Sequence, residues 1–141
     1  PHEGGEPVEL AVVSAPRGLA FDADGNLIVV STTKDQLLKV TMKGDVSVIV
    51  PDRPFDFPHN IAISKDGTKF VTDGYGKCVW KVGADNKPTK LVSGEPFVNP
   101  VGISISGDVL LVTDPRANAV FEVTLDGKLS NLKLPAEAPA K

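Results

Sequence analysis

Three near-copies of one segment follow each other at a constant step of 42 residues (58 − 16 and 100 − 58), and that period constrains the fold more than any other feature. They read PRGLAFDADGNLIVVSTTKDQLLKVTMKGDVSVIV from Pro16, PHNIAISKDGTKFVTDGYGKCVWKVGADNKPTKLV from Pro58 and PVGISISGDVLLVTDPRANAVFEVTLDGKLSNL from Pro100. Each copy holds four short β-like runs separated by turn residues. Self-similarity at this period, in four-stranded units, predicts the blades of a β-propeller. The fold class is all-β, with three four-stranded blades, half of a six-bladed ring.

Within a copy, each run has its own reason to be a strand. The first (GLAFD, NIAIS, GISIS) ends in a tight turn, where the Asp-Gly pairs of DADGN and SKDGT supply the positive φ of a hairpin. The second (NLIVVS, KFVTD, VLLVTD) is almost continuously apolar, as expected for a strand covered on both faces. The third (QLLKVT, CVWKVG, AVFEVT) closes on a second hairpin, MKGD, ADNK or LDGK. The fourth (VSVIV, TKLVS, LSNLK) is more polar, as suits an outermost strand. The units are residues 16–57, 58–99 and 100–134, with a leader at 1–15 and a tail at 135–141. Within the leader, Val8 to Val13 is expected to be the outer strand of a preceding blade.

Composition excludes several classes. The 141 residues are 41% hydrophobic, and no apolar run is long enough to span a bilayer, so no membrane partner is expected. With a net charge of −3 and basic residues scattered singly, there is no stripe for a nucleic acid backbone to follow. The single cysteine, Cys78, cannot form an internal disulfide and reads as an ordinary strand residue. The chain begins at Pro1 and its only methionine is Met42, so something is expected to precede it. Secretion or a periplasmic location is compatible with that, and the compartment stays open.

Strand direction places the candidate functional residues. Because antiparallel strands reverse, the start of the first strand, the end of the second and the start of the third share one rim of a blade, and the Asp-Gly hairpins lie on the other. Arg17, His59, Asn60 and Val101 open first strands, which are innermost and border the central channel where propellers bind ligands. Ser31, Asp73, Gly74, Tyr75, Asp114 and Arg116 follow second strands onto the same rim. Arg17, Asp114 and Arg116 are therefore expected on the ligand face. Asp73 and Asp114 recur at matching positions, with Ser31 in that slot of the first copy. A carboxylate there also commonly caps turn N–H groups, a structural role that explains recurrence without chemistry. Trp80 is expected to pack between blades. No nucleophile triad, phosphate loop or Cys/His zinc spacing is present.

The pattern P-x-G-[IL]-A-x-D-x-x-G-N, followed by a strand ending in Asp and then a K-V or E-V strand, resembles the NHL-repeat propellers and their relatives of the senescence-marker and gluconolactonase type. The resemblance runs from Pro16 to about Leu132. PHNIAIS and TDGYGK in the second copy are similar to the metal-dependent amidating lyases of this class. That likeness implies His59 as a metal ligand and Tyr75 as a proton-handling group. Set against the gluconolactonase-type P-N-G, Asn60 would instead bind a hard cation such as calcium, with Asp73 or Asp114 nearby. A divalent cation, Ca or Zn, at the central channel is what the resemblance implies. The sequence departs from the lyases where Arg17 and Val101 stand at the positions of further histidines, and where Lys77, Cys78 and Val79 follow the Asp-Gly-Tyr loop. The only other histidine is His2.

Three blades make an open arc whose two end faces are apolar, which predicts a homodimer closing a six-bladed ring about a two-fold along the channel. His59 of each copy would then face the other across the channel. The early strand Val8–Val13 would complete the partner's last blade, or else the chain is the C-terminal half of a longer propeller. Two functions follow. One is a binding or scaffold module presenting its channel face to a protein, peptide or small molecule. The other is a metal-assisted lyase or lactone hydrolase, with a cation near His59 and Asn60 and the proton moved by Tyr75 or Asp73.

Overall fold

A computed structural model describes residues 3–132. Its twelve strands form three separate antiparallel sheets of four. The first contains β1 (Pro16–Phe21), β2 (Leu27–Ser31), β3 (Leu37–Val40) and β4 (Val46–Val50). The second contains β5 (Pro58–Ile63), β6 (Lys69–Asp73), β7 (Cys78–Val82) and β8 (Pro88–Ser93). The third contains β9 (Gly102–Ser106), β10 (Val109–Asp114), β11 (Ala119–Thr124) and β12 (Leu129–Asn131). In each sheet the strands pair in chain order, as a propeller blade requires. The predicted tail, 135–141, and His2 lie outside the described residues.

The core lies between blades. One apolar cluster joins Ile28, Val30 and Leu37 of blade 1 to Ile61, Val71 and Val82 of blade 2. A second joins Ala62, Phe70 and Val79 of blade 2 to Leu110, Val112, Phe121 and Val123 of blade 3. The nearly continuous apolar second strand gives blade 2 an apolar row on each face, with Val71 in the first cluster and Phe70 in the second, so this blade contributes to both interfaces. The innermost strands approach closely: a Cβ at Gly18 of β1 would fall 2.7 Å from the Asn60 Cα of β5. Only glycine fits that contact.

Two phenylalanines that the strand pattern does not single out complete these interfaces. Phe55 and Phe97 each stand three residues before the proline that opens the next blade, and each is 1% exposed. Phe55 packs on Trp80 (centroids 5.4 Å apart), and Phe97 on Phe121 (5.3 Å). Phe55 N–H donates to Gln36 Oε1 (2.8 Å), and Gln36 Nε2 donates back to Phe55 O (3.1 Å). Each ring thus wedges a gap between blades, and burying it contributes about 2–3 kcal/mol.

The leader departs from expectation. Val8 to Val13 joins no sheet, because among the described residues no third strand of a preceding blade stands beside it to form a ladder. It nevertheless follows the course of such an outer strand. Leu10 O lies where a Cβ on Gly44 would meet it at 2.6 Å, just as Leu91 O of β8 lies 2.7 Å from a Cβ on Gly127 in the next blade's hairpin.

Candidate ligand-binding rim

The bulge that starts β5 turns His59 toward the neighbouring blade. There Arg17 Nη2 lies 3.0 Å from His59 Nδ1, so two strand openers 42 residues apart meet across a blade boundary. A guanidinium has no acceptor, so the imidazole accepts at Nδ1, and the neutral ring carries its proton on Nε2. Burial lowers the His59 pKa, and the Arg17 charge lowers it further, with Asp73 opposing. The neutral form of the ring is therefore favoured.

Phe57 organises the rest of the cluster. The Arg17 guanidinium sits over its ring (5.2 Å to the centroid), His59 meets it edge-on (5.1 Å), and Tyr75 packs against it at 5.0 Å. Tyr75 is 70% exposed, Arg17 is exposed and Phe57 is half-buried. Gly74 beside them admits no side chain, since a Cβ would fall 2.3 Å from Asn99 Oδ1 and 2.7 Å from His59 Nε2. Blade 1 thus supplies Arg17, and the opening of blade 2 supplies Phe57, His59 and Tyr75. Asn99, from the loop into blade 3, borders the same corner. Phe57 and Asn99 lie in the loops between repeats, and the only signal that could have flagged them is their place just before Pro58 and Pro100.

Asp73 lies beneath this cluster, fully buried, with its carboxylate accepting from four donors. These are Asp56 N (2.8 Å), Phe57 N (2.9 Å), Gly76 N (2.9 Å) and Trp80 Nε1 (3.0 Å). Asp114 repeats the arrangement with Val98 N (2.7 Å), Asn99 N (2.9 Å) and Ala117 N (3.0 Å). Ser31, in the same slot of blade 1, donates to Ser14 O (2.8 Å) and accepts from Thr33 N (3.1 Å). Such a carboxylate fixes the loop carrying Phe57 and holds the floor of the site. Arg116 is exposed on the loop after β10. Cys78 is buried, and burial pushes its thiol up to about 12.

The residues present do not fit a metal at His59. A ligating histidine uses one nitrogen for the metal and donates the other N–H to a carboxylate or carbonyl. Here the second nitrogen faces a guanidinium donor, which leaves the proton on Nε2, where a metal would need a lone pair. Asn60 Oδ1 is engaged by Ile61 N (2.9 Å). Among the described residues no three His, Cys, Asp or Glu side chains gather in ligating geometry. The cation that the family resemblance implied at His59 and Asn60 therefore loses its structural support.

No family model matches the chain, and no curated protein matches it. Solved structures do. Virginiamycin B lyase from Staphylococcus aureus superposes with a TM-score of 0.72 at 18% identity, over 87% of this chain and 42% of that one. The nidogen/laminin complex gives 0.72 at 22%, over 82% and 47%, and a candidate gluconolactonase gives 0.65 at 19%, over 83% and 48%. The fold is that of a β-propeller. The chain spans less than half the length of these structures.

Proposed function

We propose that the chain is a binding module, part of a propeller ring closed by a second copy, whose rim docks an acidic peptide carrying an aromatic side chain. The observation that carries this reading is the Arg17–Phe57–Tyr75 stack. An arginine and two aromatics, partly or fully exposed on a rigid floor, are the side chains that dominate interface energetics. Tyr75 and Phe57 offer π faces, Arg17 a fixed positive charge, and His59 a neutral N–H at the corner by Gly74. Asp73 keeps the platform rigid, so little ordering entropy is lost on binding. Ring closure is supported by the apolar end of blade 1, where Leu19 and Phe21 are 55% and 61% exposed.

The second reading, a lyase or lactone hydrolase, draws on fold likeness to a lyase and a candidate gluconolactonase. Likeness at this level of identity carries fold and not chemistry. Tyr75 is placed to exchange protons with solvent, but Asp73 is committed to four donors. The test is fluorescence anisotropy with an array of labelled Asp/Glu-rich peptides, each carrying one Phe or Tyr. Tyr75→Ala and Arg17→Ala are each expected to weaken the best binder about tenfold. Equal affinity of both variants and the parent for every peptide would remove the rim from the proposal.

A further inference from the structure

Blade 3 carries a copy of the slots that hold Phe55 and Phe97, and none of the described residues fills it. In blade 1 the slot is walled by Leu37 and Val50, which cluster with Phe55. In blade 2 it is walled by Val79 and Val92, which cluster with Phe97. The loop that carries each ring is pinned at a residue of positive φ just before the third strand: Asp35 N donates to Asp52 O (3.2 Å), and Gly94 N donates to Lys77 O (2.9 Å). Asn118 has the same backbone (φ 52, against 61 at Asp35 and 50 at Lys77) and the same place before β11. Val120 stands at the strand position of Leu37 and Val79. Together with Ala119 and Leu132 these residues line a cleft of about 760 Å³. Thr113 tells the same story: its equivalent Thr72 donates to Val101 O of the following blade (2.6 Å), whereas Thr113 is exposed.

The opposite end of the chain carries the matching plug. Val13 stands three residues before Pro16, the step at which Phe55 precedes Pro58 and Phe97 precedes Pro100. The segment after it is docked as in the other blades, since Thr32 N donates to Ala15 O as Gly74 N donates to Phe57 O. Val13 borders one surface cleft with Leu38, the counterpart of Trp80 and Phe121 that back the two buried rings. Its neighbours Val8 and Val12 are 86% and 78% exposed.

We infer that the blade 3 slot receives Val13 of a second copy, so that each chain plugs its leader into the other and two slots fill at once. Beyond β12, which ends at Asn131, Leu132 N donates to Val120 O (3.0 Å), so Leu132 closes the wall of the slot beside Val120. Because plug and slot lie on opposite ends of one chain, a two-fold satisfies both. The inference rests on the proposed ring closure and adds the residues that would secure it.

The experiment measures dimer dissociation by light scattering over a dilution series, for the parent, Val13→Phe and Val13→Asp. Val13 lies on the leader outside every sheet, so neither variant threatens the fold. Phenylalanine, the residue in the two filled slots, is expected to lower the dissociation constant about tenfold, and aspartate to raise it about a hundredfold. Mixing Val13→Cys with Ala119→Cys chains and a short bismaleimide is expected to yield covalent dimer, while either variant alone yields none. A dimer that neither leader variant perturbs, or that never cross-links, overturns the slot assignment and leaves ring closure standing. A monomer at every concentration overturns both.

Discussion

At the scale of single residues, the repeated position Ser31, Asp73 and Asp114 explains why the rim is rigid. The two carboxylates are fully buried, and each collects backbone N–H groups from the loop that enters its own blade. Asp73→Asn is isosteric but sets an NH2 group against donors and removes the charge. It is expected to cost about 2–4 kcal/mol, read as the shift in urea midpoint at constant slope. His59 gives the pH dependence. Its folded pKa lies below the ordinary 6.5, from burial first and the Arg17 charge second, so the unfolded chain binds the proton more readily. Stability from this group is present above about pH 6.5 and is lost as pH falls toward the lower folded value. His59→Gln is expected to flatten that part of the urea-midpoint profile between about pH 7 and pH 5. An unchanged profile would mean that the ring is not held neutral.

At the scale of elements, the wedge loops matter as much as the strands. Phe97 fills the space between blades 2 and 3 and meets Phe121 at 89°, and Phe97→Ala is expected to destabilise the chain by about 3–5 kcal/mol in denaturant unfolding. A loss below about 1 kcal/mol would show that the blades close over the vacancy. The strands were legible in the sequence because alternating or continuous apolar runs stand between turn residues, and the repeat gave three readings of the same unit. The wedges were not, since two phenylalanines in proline-rich loops look like linker until the blades are set side by side. The site divides in the same way. The strand openers Arg17 and His59 and the loop residue Tyr75 follow from strand direction, whereas Phe57, the ring they share, lies in the loop between repeats. Which nitrogen of His59 the Arg17 guanidinium faces, the detail that bears on the metal reading, is something no sequence carries. The leader Val8–Val13 joins no sheet because a ladder needs a neighbour, and none stands beside it among the described residues.

At the scale of the whole molecule, the two end faces of the arc decide how the chain behaves in solution. The face of blade 1 presents Leu19, Phe21, Val46 and Val48 at 55%, 61%, 44% and 48% exposure. The counterparts of Leu19 and Phe21 in blade 2, Ile61 and Ile63, are buried and half-buried against blade 1. Covering such a face stabilises through apolar burial, which salt screens little, and the association energy adds to the folding energy of each chain. If a second copy provides the cover, the melting temperature must depend on protein concentration, because dilution releases chains whose end faces are bare. A tenfold dilution is expected to lower Tm by a few degrees, through a change of about 1.4 kcal/mol in the dissociation term. Raising the salt from about 0.1 to 0.5 M should leave that dependence intact, since the contacts are not ionic. A Tm that does not move over a hundredfold range of concentration would mean that the arc is stable with its apolar ends open, and ring closure by a second copy would then be abandoned.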